Sequence, residues 1–409
     1  MVPLVVDYLK DHSLQQLEDD HGVCARFSND RTKASLNYDQ ILIRNGDRLA
    51  EQCRGMVVRV LAASPADDER MVRPVGHVAV VAWPMDRFYN HGDVAAAPVD
   101  WGCPRLRVDE KLDGTMIVLY HDADRWHVAT RGVPEADLPI HAGHLEVGDM
   151  TFSELFWWAL RCTLVGQVCA HAGDHRDWCI DALGAHLRTD ITYVLELTSH
   201  VNQVVVRYES PGVTLLAARR TSTGEELHLD EIELPGVPRP RTWPLADAAS
   251  VTAFVNNALP SELEGAVVID GSFRRLKVKS KAWVMASRAK DSVTSSARNA
   301  LEAIILEKAD DIVPLLPSDA GDRLLRMQSA YVRYCRGVDR AFAAIKDASD
   351  GSRKDFAVRV SALHDWSAPY FALLDRRAST TREWVHGMCE GSRLSASALD
   401  NMIKIINEP

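Results

Sequence analysis

The segment Glu110-Lys111-Leu112-Asp113-Gly114-Thr115 sets a lysine beside a turn and ahead of an apolar run, Met116–Tyr120. A lysine attacks a phosphorus atom only as the neutral amine. Its ordinary pKa is about 10.4, so such use requires neighbouring cations, a metal ion or partial burial. Gly114 would allow a tight turn and a close backbone approach to a nucleotide. Taken alone, the string is a common surface turn before a strand.

Three further segments extend it. Tyr193-Val194-Leu195-Glu196-Leu197 sets one carboxylate inside an apolar strand, where alternation alone would point it to solvent. Leu263-Glu264-Gly265-Ala266-Val267-Val268 sets another just before a strand. Arg275-Leu276-Lys277-Val278-Lys279 puts two lysines on one strand face, which by itself is an ordinary solvated edge. An anion flanked by these lysines and carboxylates is the chemistry they share.

The elements that must position them follow from periodicity. A helix is expected around Leu4–Leu17, with strands at Met56–Val60 and His77–Trp83. Met116–Tyr120 and Trp126–Thr130 read as a hairpin turning in His121–Arg125, and Thr151–Ala170 as an apolar helix. Tyr193–Leu197, Gln203–Tyr208 and Val213–Arg219 read as strands, the four prolines of Pro235–Pro244 as a loop, and Gly265–Asp270 with Arg275–Ser280 as a pair turning at Gly271–Ser272. Beyond about residue 290 the pattern is helical: Leu324, Tyr331, Cys335, Val338, Phe342 and Ile345 recur at helical spacing, as do Leu399, Met402, Ile403 and Ile406 after a Ser395 cap. The expected organisation is an α+β body with antiparallel sheets at 1–290 and an all-α domain at 291–409.

Composition narrows the class. A chain of 409 residues, 46% hydrophobic and 25% charged, is an ordinary globular one with room for two or three domains. No apolar run is long enough to span a membrane, and Met1–His12 does not read as a signal peptide. Eight cysteines without a CxxC fit free thiols in a reducing cytoplasm (the host's, for a phage protein). The net charge of −10 excludes a generic nucleic-acid coat. Residues 291–409 hold 16 Lys+Arg against 17 Asp+Glu, leaving −9 to residues 1–290, where Arg274, Arg275, Lys277, Lys279 and Lys281 form a local basic run.

The ordered set over residues 111–279 resembles the covalent nucleotidyltransferase superfamily of ligases and capping enzymes. Its signature is Lys-x-Asp-Gly, a strand Glu, Glu-Gly, then Lys-x-Lys. Upstream, Cys53-Arg54-Gly55-Met56-Val57 and Trp83-Pro84-Met85-Asp86-Arg87-Phe88-Tyr89-Asn90 are similar to the N-terminal block of the phage-type RNA ligases of the tRNA-repair group. That group carries Arg-Gly and then Pro-x-x-Lys-Phe-Phe-Asn. Here Arg87 replaces the lysine, keeping its charge, and Tyr89 replaces the second aromatic. Leu197–Val206 resembles the group's strand-turn-strand after the glutamate. The likeness covers about residues 45–285, whereas the helical tail matches in class only. DNA ligases and capping enzymes continue into a small β-barrel and NAD-dependent ligases need a nicotinamide domain, neither of which is found here, so ATP is the expected cofactor.

The resemblance implies an ATP-dependent RNA ligase acting through lysyl-AMP and RNA-adenylate. Lys111 would attack the α-phosphorus and release pyrophosphate. Arg54, Arg87 and Arg131 would hold the triphosphate. Lys277 and Lys279 would bind the α-phosphate and depress the Lys111 pKa. Asp113 and Gly114 would belong to the nucleotide site, Glu264 to a Mg2+ or Mn2+ site, and Glu196 to ribose or metal-bound water. The implied partners are RNA with 5′-phosphate and 3′-OH ends, such as a cleaved tRNA, and a polynucleotide kinase/phosphatase. The implied state is a monomer, with the helical domain guiding substrate choice. A DNA ligase, an adenylation-only enzyme and an inactive RNA-binding protein on the same fold are the alternatives.

Cys169, His171, His175 and Cys179 lie within 11 residues, but their spacing matches no standard zinc finger. A helix-loop-helix with buried cysteines and exposed histidines is expected instead. It falls within residues 150–187, which read as an insertion relative to the resembled family. Tyr331, Arg333, Tyr334 and Arg336 are read as ordinary residues of an amphipathic helix rather than as RNA readers.

Overall fold

Short apolar runs with period two build three sheets in the computed structural model. It describes residues 2–39, 42–60, 74–137, 140, 150–170, 175–313, 316, 318–349, 351–363, 366–391 and 393–407. The chain divides into two units, Met1–Val284 and Met285–Pro409.

In the first unit, α1 (Leu4–Asp11) and α2 (Leu14–His21) replace the single helix expected at the start. Ser13 breaks it by capping α2: its hydroxyl accepts from Gln16 N while the Gln16 side chain accepts from Ser13 N. These helices cover a sheet of β1 (Val23–Phe27), β2 (Lys33–Tyr38), β3 (Arg54–Val60) and β4 (Val78–Ala82), antiparallel and in that order. α3 (Arg48–Gln52) precedes β3.

The third sheet runs β5 (Tyr89–Asn90), β13 (Arg275–Lys279), β12 (Gly265–Ile269), β6 (Arg107–Lys111). Its β5–β13 pair is parallel, the others antiparallel. The central sheet runs β11 (Glu226–Leu227), β10 (Gly212–Arg220), β9 (Ile191–Thr198), β7 (Thr115–Asp122), β8 (Arg125–Thr130), all antiparallel. The β7–β8 turn is only Ala123–Asp124, both at positive φ, the geometry that matches the twist of a two-residue hairpin.

Residues 203–208 form no strand. Although Val204, Val205 and Val206 are β-branched, their segment lies on no sheet edge, and the N–H groups of Val205 and Val206 donate to the Asp113 carboxylate instead.

α4 (Phe152–Val165) carries a Thr151/Glu154 capping box and stops at Gly166, whose left-handed backbone returns its N–H to Cys162 O, so the helix ends short of Ala170. α4 and α5 (His175–Leu183) supply Phe156, Trp157, Trp158, Cys179 and Leu183 to the core beneath Tyr193 and Leu195. α6 (Ala248–Asn257) backs the third sheet. His175 is buried rather than exposed, its ring against Arg161, and His171 lies outside the described residues. Among the described residues no cluster of three His, Cys, Asp or Glu could hold a metal ion.

α7 (Lys281–Ser295) contains the point of division. In the second unit the described residues form helices only: α8 (Ala297–Ile305), α9 (Ala309–Ile312), α10 (Ser318–Ala348), α11 (Arg353–Ser361), α12 (Ala368–Leu374), α13 (Thr381–Glu390) and α14 (Ala396–Asn407). Leu301, Ile304, Leu324, Cys335, Val385 and Met402 share one core with Tyr331, which is fully enclosed. No helix is long and apolar enough to cross a membrane among the described residues.

Candidate active site

One face of the third sheet carries the charges, and strand register decides which. Directly paired residues project to the same side. Lys111, Gly265 and Lys279 form one row, Asp109, Val267 and Lys277 the next, and Arg107, Ile269 and Arg275 the third. That face walls a cavity of about 320 Å3, and Asp109, Lys111, Lys277, Lys279 and Arg275 all line it. The other face, with Val108, Ala266, Val268 and Val278, packs on Val251 and Val255 of α6.

Gly265 stands in the first row because a Cβ there would lie 2.1 Å from Val278 O. The preceding Glu264 is buried between two ammonium groups: Lys111 Nζ is 2.7 Å from Oε2 and Lys279 Nζ 2.8 Å from Oε1. Lys279 also sits 4.4 Å from the centre of the Trp283 ring. Lys277 lies over Phe88 and has no ion pair among the described residues. Burial first, then the charges of Lys279, Lys111 and Arg54, push its ammonium down to about 8.

The first sheet brings the arginines. Gly55 has φ +82°, and a Cβ on it would stand 2.9 Å from Arg131 Cα, so the turn after β8 rests directly against the start of β3. Ser35 Oγ holds that turn by donating to Arg131 O at 3.2 Å. Arg54 lies over Phe88, Arg87 over Tyr38 and Tyr89, and Arg131 over Tyr38, at 4.6–5.6 Å. All three arginines line the cavity. The Nη1 atoms of Arg54 and Arg87 are buried without a hydrogen-bond partner among the described residues. Unpaired guanidinium N–H groups packed on aromatic faces are prepared for an anion.

Glu196 enters from β9. Burial raises its carboxyl to about 7 against the opposing pull of Lys111, with Glu264 adding to the rise. Its Oε1 accepts from Gly114 N at 3.1 Å.

Two residues expected at the nucleotide, Asp113 and Gly114, do not line the cavity and are engaged by neighbouring segments. The close approach at Gly114 is to the neighbouring strand, since a Cβ there would lie 2.3 Å from Leu197 O. Asp113 is buried, and its Oδ2 accepts from Val205 N (2.8 Å), Val206 N (2.7 Å) and Trp283 Nε1 (3.0 Å), while its own N–H donates to Tyr208 Oη (3.0 Å). It thus ties the Lys111 turn to the 203–208 segment and to the start of α7. Sequence reasoning missed Tyr38, Asp109 and Arg275 as cavity residues and Trp283 as the group between Asp113 and Lys279. Only Trp283, four residues beyond Lys279, left a positional hint.

No family model matches the chain. It is 26% identical over 295 residues to a putative bifunctional polynucleotide kinase/RNA ligase of Autographa californica nuclear polyhedrosis virus, covering 69% of this chain and 37% of that protein. It is 23% identical over 372 residues to an RNA ligase of Rhodothermus phage RM378, covering 72% and 77%. Both of these relatives are named as RNA ligases, and the chain is similar to each. It spans little more than a third of the baculovirus relative. A solved archaeal ATP-dependent RNA ligase covers 95% of this chain and 77% of its own at 15% identity and a TM-score of 0.35. A Naegleria gruberi RNA ligase mutant with ATP and Mn covers 45% and 51% at 16% identity and a TM-score of 0.32.

Proposed function

We propose that this protein joins RNA 5′-phosphate and 3′-OH ends with ATP, through AMP carried on Lys111. The observation that supports this most is the Lys111–Gly265–Lys279 row with Glu264 bridging both lysines, facing a cavity lined by Arg54 and Arg87, whose Nη1 atoms lack partners among the described residues.

In this reading the unpaired N–H groups of Arg54 and Arg87, with Arg131, bind the triphosphate and orient it for attack in line with Lys111. Lys111 leaves Glu264, loses one proton to solvent to become the neutral amine, and forms a P–N bond, releasing a second proton to solvent, as the bond to pyrophosphate breaks. Lys277 and Lys279 neutralise charge on the α-phosphate. The AMP then passes to an RNA 5′-phosphate, and a 3′-OH displaces it. Glu264 and Glu196 are the carboxylates offered to Mg2+ or Mn2+. They fit an ion that takes one or two carboxylates and otherwise phosphate oxygens and water, and that ion would supply charge neutralisation on the phosphates. The baculovirus relative is named for a polynucleotide kinase as well as a ligase, which supports a kinase as functional partner here. Choice among RNA ends, such as those of a broken tRNA, is the role proposed for the helical domain at 291–409. The deciding experiment incubates the protein with ATP, Mg2+ and 5′-phosphorylated RNA oligomers and scores circles, joined products and AMP-capped RNA. Sealing confined to nicked duplex DNA would refute RNA as the substrate.

Two results bear on the site itself. Lys279→Ala is expected to slow lysyl-AMP formation by about 100-fold or more, on the scale of losing one charge-stabilising donor. Lys281→Ala is expected to stay within about twofold, because that side chain is exposed and only its backbone N–H is engaged, by Asn256. Equal losses would overturn the assignment of β13 to the phosphate.

Affinity for a non-hydrolysable ATP analogue without metal is expected to fall as pH rises from about 6 to 9. Glu196 gains a negative charge through about 7 and Lys277 loses a positive one through about 8, and both changes repel an anion. Each is expected to cost about tenfold, the scale of one pKa unit of interaction. Lys277→Met is expected to flatten the upper limb in a fluorescence titration. Affinity that rises with pH would contradict both signs.

A further inference from the structure

A second cavity of about 640 Å3, twice the volume of the first, opens beside it. Arg87, Phe88 and Arg275 line both, but Lys111, Lys277 and Lys279 line only the first, so the second cavity is set apart from the attacking amine. Five arginines face the second cavity: Arg48, Arg87, Arg219, Arg274 and Arg275. The carboxylates on its wall are already engaged. Asp86 takes Arg219 at 2.7 Å, Glu226 takes Arg275 Nη1 at 2.9 Å, and Glu51 accepts from Tyr89 Oη at 2.8 Å. Arg48 is exposed and has no ion pair among the described residues, and the Arg274 side chain is 42% exposed. In a chain of net charge −10 this is a local excess of cations.

The turn that presents Arg274 is built at a cost. Phe273 has φ +60°, a region that a bulky residue occupies only when its surroundings force it. Asp270, 2% exposed, does the forcing. Its Oδ1 accepts from Ser272 N (2.9 Å) and Arg274 N (3.0 Å), its Oδ2 from Arg274 Nε (2.7 Å) and Asp100 N (3.1 Å), and its carbonyl from Phe273 N (2.9 Å). Phe273, whose ring packs 4.5 Å from that of His228, and Arg274 both line the cavity, as do the apolar residues 94–98, of which Val94 is fully exposed.

We infer that this second cavity binds the RNA strand, with Arg48 and Arg274 on backbone phosphates and Phe273 against a base or ribose. The inference rests on the proposed RNA-ligase reading and adds to it a place for the substrate chain. A ring beside cations, rather than cations alone, favours a nucleotide chain over a bare anion. The tail of ATP is the other phosphate source, and the two separate experimentally.

The test uses the full chain carrying Arg48→Ala with Arg274→Ala, and separately Phe273→Gly, which removes the ring while relieving the backbone. Lysyl-AMP formation from ATP is expected to stay within about twofold of the unmodified protein in both, while the KM for a 5′-phosphorylated RNA oligomer in sealing rises by about tenfold. The slope of log affinity against log salt is expected to shrink by about 1.4 for the double variant, two contacts at about 0.7 each on a single strand. An unchanged KM and salt slope for RNA would overturn the inference. So would a rise in the KM for ATP matching the loss of sealing, which would assign the cavity to the polyphosphate tail. Absence of lysyl-AMP in the unmodified protein would instead sink the functional reading beneath it.

Discussion

Lys111→Ala is expected to carry no AMP after incubation with radiolabelled ATP and Mg2+, a loss on the order of a thousandfold or more, as when a covalent nucleophile is removed. The register explains why no neighbour substitutes. Lys279 is held between Glu264 and the Trp283 ring. Lys277, with its ammonium pushed down to about 8, is the one rival amine, and it sits a row away beside Val267 rather than at Gly265. Peptide mapping of the adduct in the unmodified protein is therefore the sharper half of the experiment. AMP found on Lys277, or labelling that survives in Lys111→Ala, would refute the central assignment. RNA that already bears a 5′-AMP needs no lysine nucleophile, so its sealing by Lys111→Ala is expected to persist. That outcome separates a lost nucleophile from a collapsed site.

Asp113→Ala is expected to destabilise the whole first unit and not merely weaken ATP binding. It orphans three donors on one oxygen: two backbone N–H groups and the Trp283 indole. An unsatisfied buried donor costs about 1–3 kcal/mol, so the sum for three is roughly 3–9 kcal/mol against a typical total of about 5–15. A fall in Tm of ten degrees or so is the corresponding thermal readout. Asp113→Asn, which keeps an oxygen acceptor, is expected to lose less than half as much. Were both variants to melt with the unmodified protein and fail only in adenylation, Asp113 would be a nucleotide contact after all.

The two glycine-flanked motifs show how far sequence reading reaches. Lys-x-Asp-Gly and Glu-Gly were legible as an ordered pair, yet the sequence could not say that both glycines serve strand approach, Gly114 against Leu197 O and Gly265 against Val278 O. Local pattern does not encode how closely two distant strands will pass. The same limit explains residues 203–208. Their three valines favour a strand, but strands need an unpaired edge, and a carboxylate some 90 residues earlier captured their N–H groups first. Likewise the buried His175 was read as exposed because its burial depends on α5 docking under the central sheet.

The charged residue types and their alternation are written in the linear chain. Lys277 and Lys279 share a face because strand side chains repeat every two residues, and the order of motifs from Arg54 to Lys279 is the order in which the covalent nucleotidyltransferases that it resembles carry theirs. Pairing between these residues comes from the fold. Register put Lys111, Gly265 and Lys279 in one row, close backbone contact at Gly55 brought Arg131 to Arg54, and burial left Arg54 and Arg87 with N–H groups unspent. These are contacts between segments tens to hundreds of residues apart, set by packing of three sheets against one another, and packing is a property of the folded chain rather than of any stretch of it.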